Sequence, residues 1–423
     1  MQMFDGAIPW YNSMEQNHLR RNLAVITFTA FLNFTGLTIA IPIFTPLCLD
    51  QTHGIIATGT SVPVRTTILG VLLGIFPLCQ FFAAPILGAF SDRYGRKKIL
   101  LLSLAGMLVG SIIMATSITI SSLPLAFVSR IIMGAFSGSL AVTQSAIADI
   151  SDDKSRAKNF GLIGAAFGAS LFIGPALGGF LSDPAIHLWF NYATPFWLSS
   201  ALTAFNLCQV AWQLSETLPP EKRRQTDFRI FIGPINIVKA FRDPVCRGLF
   251  LVVFVLGFGF NFFTQFFQVL LITKFAATRA QLGIVFSYLG IWGILTQAVI
   301  IRPVSRKFTP ARILNTTPLL LTGVFLSILL VPSLPLLFVV LLFIPLFNGL
   351  SNPNLTALIS GLRGAEDRGE LLGINQSVLA MAQFLPPLIG GYIVGNHYSL
   401  SIWVTAICYV IGWILFIRTR QTF

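Results

Sequence analysis

Charge is what this chain has least of. Only 10% of its 423 residues are Asp, Glu, Lys or Arg, against roughly 25% in soluble globular domains. A water-exposed fold cannot be covered with so few charges, so an ordinary soluble domain is excluded. Histidine is scarce too: His18, His53, His187 and His397 stand apart in terminal or loop segments, with no nucleophile or metal-binding partner nearby in sequence. No Gly-x-x-x-x-Gly-Lys-Ser/Thr stretch is present to cradle a nucleotide's phosphates, so a gradient must supply any driving force. The five cysteines, Cys48, Cys79, Cys208, Cys246 and Cys408, lie in or beside apolar runs without Cys-x-x-Cys spacing, which gives no metal or disulfide framework. The first twenty residues lack an apolar core, so no cleavable signal peptide is expected there. Neither an enzyme nor a cofactor is expected from this pattern.

What abounds is apolar surface. Hydrophobic residues make up 55% of the chain, and the mean hydropathy is +0.79. Runs of about 20 residues, the length that crosses about 30 Å of hydrocarbon, recur twelve times, which predicts an all-α membrane protein. The net charge of +13 would suggest nucleic acid in a soluble protein, but Lys and Arg alternate by loop. Twenty-four of the 28 fall on the side that also holds both termini, leaving Arg65, Lys274 and Arg279 opposite and Arg130 within a span. The positive-inside bias therefore places both termini in the cytoplasm and makes the lipid bilayer, not nucleic acid, the partner. The compact loops and short termini suit a bacterial inner membrane, and a monomer is expected.

The longest polar interval, SETLPPEKRRQTDFRIFIGPINIVKAFRDPVCR, covers 215–247 and divides the chain into 1–214 and 248–423, six spans each. Self-similarity supports the division. FGLIGAAFGASLFIGPALGGF, 160–180, aligns without gaps at a shift of 212 within LLGINQSVLAMAQFLPPLIGGY, 371–392. Gly161 meets Gly373, Pro175 meets Pro387, Gly178 and Gly179 meet Gly390 and Gly391, and Arg156 falls on Arg368. Two six-helix, pseudo-symmetric bundles are predicted; parallel repeats of this kind enclose a midplane site and rock against one another.

One charged stretch stands out, GAFSDRYGRKK at 88–98, between the second and third spans. Gly88 is expected to let helices approach, Gly95 to permit a tight turn, and Asp92 to accept from a helix N-terminus or from Arg96. Lys97 and Lys98 are expected at the headgroups. The order Gly88, Asp92, Arg93, Gly95, Arg96, Lys97 resembles the signature loop of the major facilitator superfamily. That resemblance implies a latch in which the aspartate and an arginine of this loop join an acidic residue at the end of span four, here Asp149, to lock the outward-facing state. The corresponding loop of the second half, RPVSRKFTPARIL, has no aspartate or glycine, so unequal gating by the two halves is expected.

Arg130 in FVSRIIMGAFSG is a guanidinium inside span four, where a cation needs partners or water. With Gly134 it resembles the superfamily's span-four pattern, which implies a role in proton coupling; bonding to backbone carbonyls to hold helices together is the structural alternative. Gly164, Gly168, Gly174, Pro175, Gly178 and Gly179 in span five let helices approach, and Pro175 bends the chain. The ordered GPALGG is similar to the glycine-proline span of the antiporter branches, including tetracycline-efflux-like drug:proton exporters, in which span five packs on span eight.

Span one departs from that branch: Asn33 stands nine residues before Pro42, where those relatives have an aspartate. All fifteen acidic residues fall in loops or at span ends, so coupling to protons would have to use Asp149, Asp50 or another group at the chamber mouth. Amides are expected to line the chamber instead: Asn33, then Asn261, Gln265 and Gln268 on one face of span seven, Asn348 and Asn352 in span ten, and Asn375, Gln376 and Gln383 in span eleven. Each amide could also merely join helices. As a set they favour a small neutral or amphipathic organic substrate, with an anion open if Arg130 or Arg65 is reachable. Proton-linked efflux is the first reading; a siderophore or metabolite carrier without conventional proton antiport is the second.

Overall fold

The computed structural model describes residues 9–152, 155–223, 232–244, 246–362 and 368–420. The first half contains α1 (Pro9–Thr38), α2 (Ile41–Leu49), α3 (Val62–Tyr94), α4 (Arg96–Thr119), α5 (Leu123–Phe136), α6 (Ser139–Asp149), α7 (Arg156–Ser182) and α8 (Thr194–Gln213). A short helix, α9 (Ile232–Arg242), lies in the linker. The second half contains α10 (Arg247–Phe275), α11 (Arg279–Leu295), α12 (Ile301–Lys307), α13 (Pro310–Leu330), α14 (Leu334–Leu341), α15 (Phe343–Ser360), α16 (Arg368–Asn396) and α17 (Leu400–Arg420).

Helices dominate because a bilayer offers backbone groups no water, so each span must satisfy its own N–H and C=O groups. Among the described residues, eleven helical stretches are long and apolar enough to cross a membrane. The twelve predicted runs differ by one, α8: it has 20 residues, but Asn206 and Gln209 lower its apolarity. It packs within the same bundle, where Asn206 accepts from the Thr29 hydroxyl at 2.8 Å in a buried contact with α1. Several spans are broken. Span one divides at Ile39–Ala40 just before Pro42, span four divides between α5 and α6, and span eight carries a π-helical turn at Thr296–Ile300. Such a turn inserts an extra residue and is frequent at functional positions.

Each bundle has its own apolar core. One gathers Val25, Leu100, Val142 and Val210 from the first half, and another gathers Phe250, Leu282, Phe325 and Phe416 from the second. A third core joins the halves, Phe44, Leu69 and Phe196 meeting Phe262, Phe266 and Val394. It lies toward the membrane face that carries the 50–61 loop, called here the sparse face because so little Lys or Arg faces it. The opposite face, with the 88–98 loop, is the basic face.

The repeated glycines build the crossings between the bundles. A Cβ on Gly283 of α11 would lie 2.6 Å from the Pro175 carbonyl oxygen of α7, and one on Gly70 of α3 would lie 2.2 Å from the Pro387 carbonyl oxygen of α16. Gly179 opposes Gly283 and Gly391 opposes Gly70 in the same way, with would-be Cβ to Cα distances of 2.8 and 3.2 Å. In the aligned segments the two halves therefore present the same Pro-x-x-x-Gly pattern to each other. Nearer the basic face, a side chain at Gly161, Gly164 or Gly373 would meet nothing within 4 Å among the described residues. The direct crossings between the bundles thus lie toward the sparse face, and on the other side the linker helix α9 touches α3 through Gly233 and Phe81. Arg156 and Arg368 begin α7 and α16, and their side chains lie outside the described residues.

Candidate functional site

The 88–98 loop turns at Gly95, whose φ of 100° is open to glycine but strained for other residues. That turn ends α3 and starts α4, and it aims the Arg96 side chain back under the bundle. Arg96 is buried. Its Nη1 pairs with Asp92 at 2.5 Å and with the Ser91 hydroxyl at 2.7 Å, and its Nε pairs with Asp149 at 2.9 Å. The planar guanidinium fork serves both carboxylates at once, so Asp92, Arg96 and Asp149 come together, but the cluster is made within the first half alone and in a conformation whose inter-bundle crossings close the sparse face, so it does not join the two halves as a lock on the outward-facing state would. Arg93 instead lies over the Tyr94 ring, 5.3 Å from its centre. Two expectations fail. Gly88 meets no neighbour, so it does not mediate a close helix approach in this conformation. Lys97 does not reach out to headgroups: its Nζ donates to the Ala211 carbonyl at the end of α8, at 2.8 Å, because that helix end leaves carbonyls unpaired.

Glu216, in the linker, was not singled out in the sequence. Its carboxylate accepts the Arg96 and Lys97 backbone N–H groups at 2.8 and 3.3 Å, and those of Thr217 and Leu218 at 3.0 and 3.1 Å. It thereby caps the N-terminus of α4, where an anion meets the positive end of the helix dipole. A Cβ at Gly95 would sit 2.4 Å from its Oε2, so glycine serves both the turn and the cap. The available signal was an acid directly after span six, facing a loop rich in donors.

Arg130 is 8% exposed. Its Nε donates to the Leu72 carbonyl at 3.0 Å. The guanidinium sits between the Phe44 and Phe76 rings, 4.8 and 4.7 Å from their centres, an arrangement that stabilises a desolvated cation by up to about 2 kcal/mol. No carboxylate pairs with it among the described residues. Gly134 admits the close approach of α5 to α3, since a Cβ there would lie 2.5 Å from the Phe76 carbonyl oxygen. Arg65 is not reachable: fully buried, it donates to the carbonyls of Cys48, Asp50, Ile56, Ala57 and Thr60 and to Gln51. It is a clamp for the 50–61 loop, not an anion receptor.

The span-five glycines divide their work. Gly168 and Gly179 face α11, as expected, with Ile294 and Gly283 opposite. Gly174 and Gly178 face the break in span one, against Thr38 and the Ile39 carbonyl, and Gly164 faces open space. Pro175 has no N–H for the Leu171 carbonyl; Gly290 of α11 packs against that carbonyl, and the Ser287 hydroxyl donates to the adjacent Phe172 carbonyl at 2.7 Å.

The amides are not one lining. Asn33 borders a cavity of ≈ 30 Å³ with Gln80, Ser137 and Ser139. Gln268 crosses between the bundles, its Nε2 donating to the Ile41 carbonyl at the break in span one, at 2.6 Å. Asn261 folds back on its own helix, onto the Gly257 carbonyl. Asn348 accepts from the Tyr409 hydroxyl at 3.4 Å. Gln265 is partly exposed, and Asn352, Gln376 and Gln383 are exposed. Three buried atoms, Asn33 Nδ2, Gln268 Oε1 and Asn375 Oδ1, have no hydrogen-bond partner among the described residues. Buried polar atoms are expensive to leave unsatisfied, so these positions suit water or a polar substrate group.

The sparse face holds a second polar cluster. Arg279 of α11 pairs with Asp50 at 3.1 Å, donates to the Ser182 carbonyl at 2.7 Å, and lies 3.6 Å from the centre of the Tyr192 ring. Burial alone raises the Asp50 carboxyl, but the His53 and Thr52 N–H groups and the Thr52 and Tyr192 hydroxyls donate to it and bring its pKa down to about 2.

The sequence matches the Major Facilitator Superfamily over residues 26–317 and again over 249–422. It is 30% identical over 287 residues to the class C tetracycline resistance protein of Escherichia coli, covering 68% of each chain. It is 25% identical to multidrug resistance protein 1 of Bacillus subtilis (strain 168), covering 94% of this chain and 96% of that one. The crystal structure of the human organic anion transporter MFSD10 (TETRAN) shares the fold with a TM-score of 0.68 at 23% identity, over 94% of this chain and 99% of that one. The double match, the paired six-helix bundles and the Asp92–Arg96–Asp149 cluster agree: the chain belongs to the Major Facilitator Superfamily, in the branch that holds the tetracycline and multidrug resistance proteins.

Proposed function

We propose that this multi-pass membrane transporter exports small amphipathic organic compounds by alternating access. The observation that carries this reading is the paired crossing of α7 on α11 and α3 on α16, tight toward the sparse face and open, among the described residues, at Gly161, Gly164 and Gly373 toward the basic face. Two such crossings around one axis form a two-state element. The halves 1–214 and 248–423 rock about it, joined by 215–247, with the basic face and both termini in the cytoplasm of a bacterial inner membrane, as a monomer. Asp92, Arg96 and Asp149 form the latch, with Gly95 turning its loop and Glu216 capping it. The names of the resistance-protein relatives support efflux of a drug-like compound.

Proton antiport is the coupling that branch favours, with Arg130 as the coupling group. A second reading, a siderophore or metabolite carrier without conventional proton antiport, is favoured by Asn33: an amide takes up no proton in this pH range, and Asp50 and Asp149 are already ion-paired. Purified protein in vesicles, with or without a pH gradient, tests both. Substrate flux accelerated by an opposing proton gradient supports antiport; flux indifferent to the gradient eliminates it and leaves the second reading. Failure to move any compound from a broad drug and metabolite panel eliminates the transporter assignment for small organics.

A further inference from the structure

We infer that a pocket beside the linker helix binds an anionic phospholipid from the leaflet at the basic face. The pocket is ≈ 700 Å³, within the roughly 300–1,000 Å³ typical of small-molecule sites. Ile235 and Val238 of α9, Phe250 of α10, and Leu371 and Ile374 of α16 form its apolar walls. Phe250 and Leu371 lie within a turn of the helix starts at Arg247 and Arg368, so the pocket sits where headgroups give way to acyl chains.

The linker helix is built for that level. Ile232, Ile235 and Val238 fall on one side of α9 at spacings of three and are 37%, 44% and 54% exposed, while Ala240 is buried against the second bundle. Its basic residues, Lys239 and Arg242, stand in the last turn, at the end of α9 nearest the start of α16 and so at headgroup level, while its first turn reaches inward along α16. Two bonds to α16 hold it there: Asn236 donates to the Ser377 hydroxyl at 3.2 Å, and Lys239 pairs with Glu370 at 2.5 Å. At its other end Gly233 packs on Phe81 of α3, a contact with the first bundle.

Charge selects the headgroup. Of the ionisable groups on the wall, Lys239 and Glu370 neutralise one another, and Asp243 already has an interaction partner. Arg242 is exposed and makes no hydrogen bond or ion pair among the described residues. It is the cation left to meet a phosphodiester, with which the guanidinium forms bidentate hydrogen bonds, while an acyl chain covers Ile235, Val238 and Phe250. The linker carries seven Lys/Arg against four Asp/Glu, which favours an anionic over a zwitterionic lipid.

Photoactivatable phosphatidylglycerol and photoactivatable phosphatidylcholine, each incorporated in phosphatidylcholine vesicles with the full-length protein, test the assignment by mapping labelled peptides. The phosphatidylglycerol probe is expected to label 232–250 and 368–377 about fivefold more than the phosphatidylcholine probe, the factor one basic residue near an interface contributes. Arg242→Glu is expected to remove that excess, and Arg302→Glu, elsewhere on the basic face, to leave it unchanged. Equal labelling by the two probes, equal losses in both variants, or labels spread evenly over all lipid-facing helices would overturn the proposal. If Arg242→Glu does not fold, the two-probe comparison on the native protein still decides.

Discussion

Asp50, at the end of α2, and Arg279, at the start of α11, join the two bundles across the sparse face at 3.1 Å, with the Tyr192 ring stacked beneath the guanidinium. Tyr192 also donates its hydroxyl to Asp50 at 3.0 Å. The chamber cannot open on that face while this clasp is made. Arg279→Ala is therefore predicted to raise the labelling rate of single cysteines placed on the sparse side of α7 and α11 by about tenfold, as expected when a partly buried ion pair of roughly 1.4 kcal/mol is lost. An unchanged labelling rate would show that the clasp does not hold the closed state.

The same clasp is predicted to ignore physiological pH. The Asp50 pKa is lowered in the folded protein, so its stabilising contribution is complete above its usual value near 3.8 and is lost only as pH falls toward about 2. Accessibility at the sparse face should be constant from pH 5 to 8 on this account. A sigmoidal change within that window would show that a group other than the Asp50 carboxylate controls closure of this face.

Arg96 is predicted to tolerate no replacement, lysine included. A lysine ammonium is a point charge and cannot hold Asp92 and Asp149 in the same fork geometry. Arg96→Lys and Asp92→Asn should each lower transport at least about tenfold, the effect of losing one charge-assisted bond of roughly 1.5–3 kcal/mol, with membrane insertion unaltered. Wild-type turnover by either variant, measured at equal protein in the membrane, would remove the latch assignment.

Two glycines on equivalent helices provide a contrast. A Cβ at Gly391 would lie 2.4 Å from the Thr66 carbonyl oxygen, whereas one at Gly164 meets nothing within 4 Å. Gly391→Ala is predicted to open the sparse face and Gly164→Ala to leave it closed, as read by the same cysteine labelling. Equal effects of the two substitutions would mean that the crossing of α3 and α16 does not control closure.

Arg130 separates function from packing. Arg130→Ala should abolish transport while the helical content and membrane level are retained, and Arg130→Lys should recover part of the activity if charge rather than the Leu72 bond is what matters. Loss of folded protein in both variants would assign Arg130 to helix packing alone.

The sequence by itself determined the membrane, the two bundles and the internal repeat, because each rests on a local property: the length of an apolar run, its loop charge, or an aligned Gly-Pro spacing. Asp92, Arg96 and Asp149 were legible for a similar reason, since Gly95 fixes a turn within a short stretch and the signature loop implies its partner. Tertiary structure alone decided the rest. Gly164 and Gly179 look equivalent in sequence, yet one faces space and the other a neighbouring backbone. Arg65 and Arg279 are both arginines on the sparse side, yet one is spent on loop carbonyls and the other joins the bundles. Periodicity places a residue on a face of its helix, but which helix, loop carbonyl or opening lies opposite is set by how the helices cross, and that is a long-range property of the packed chain.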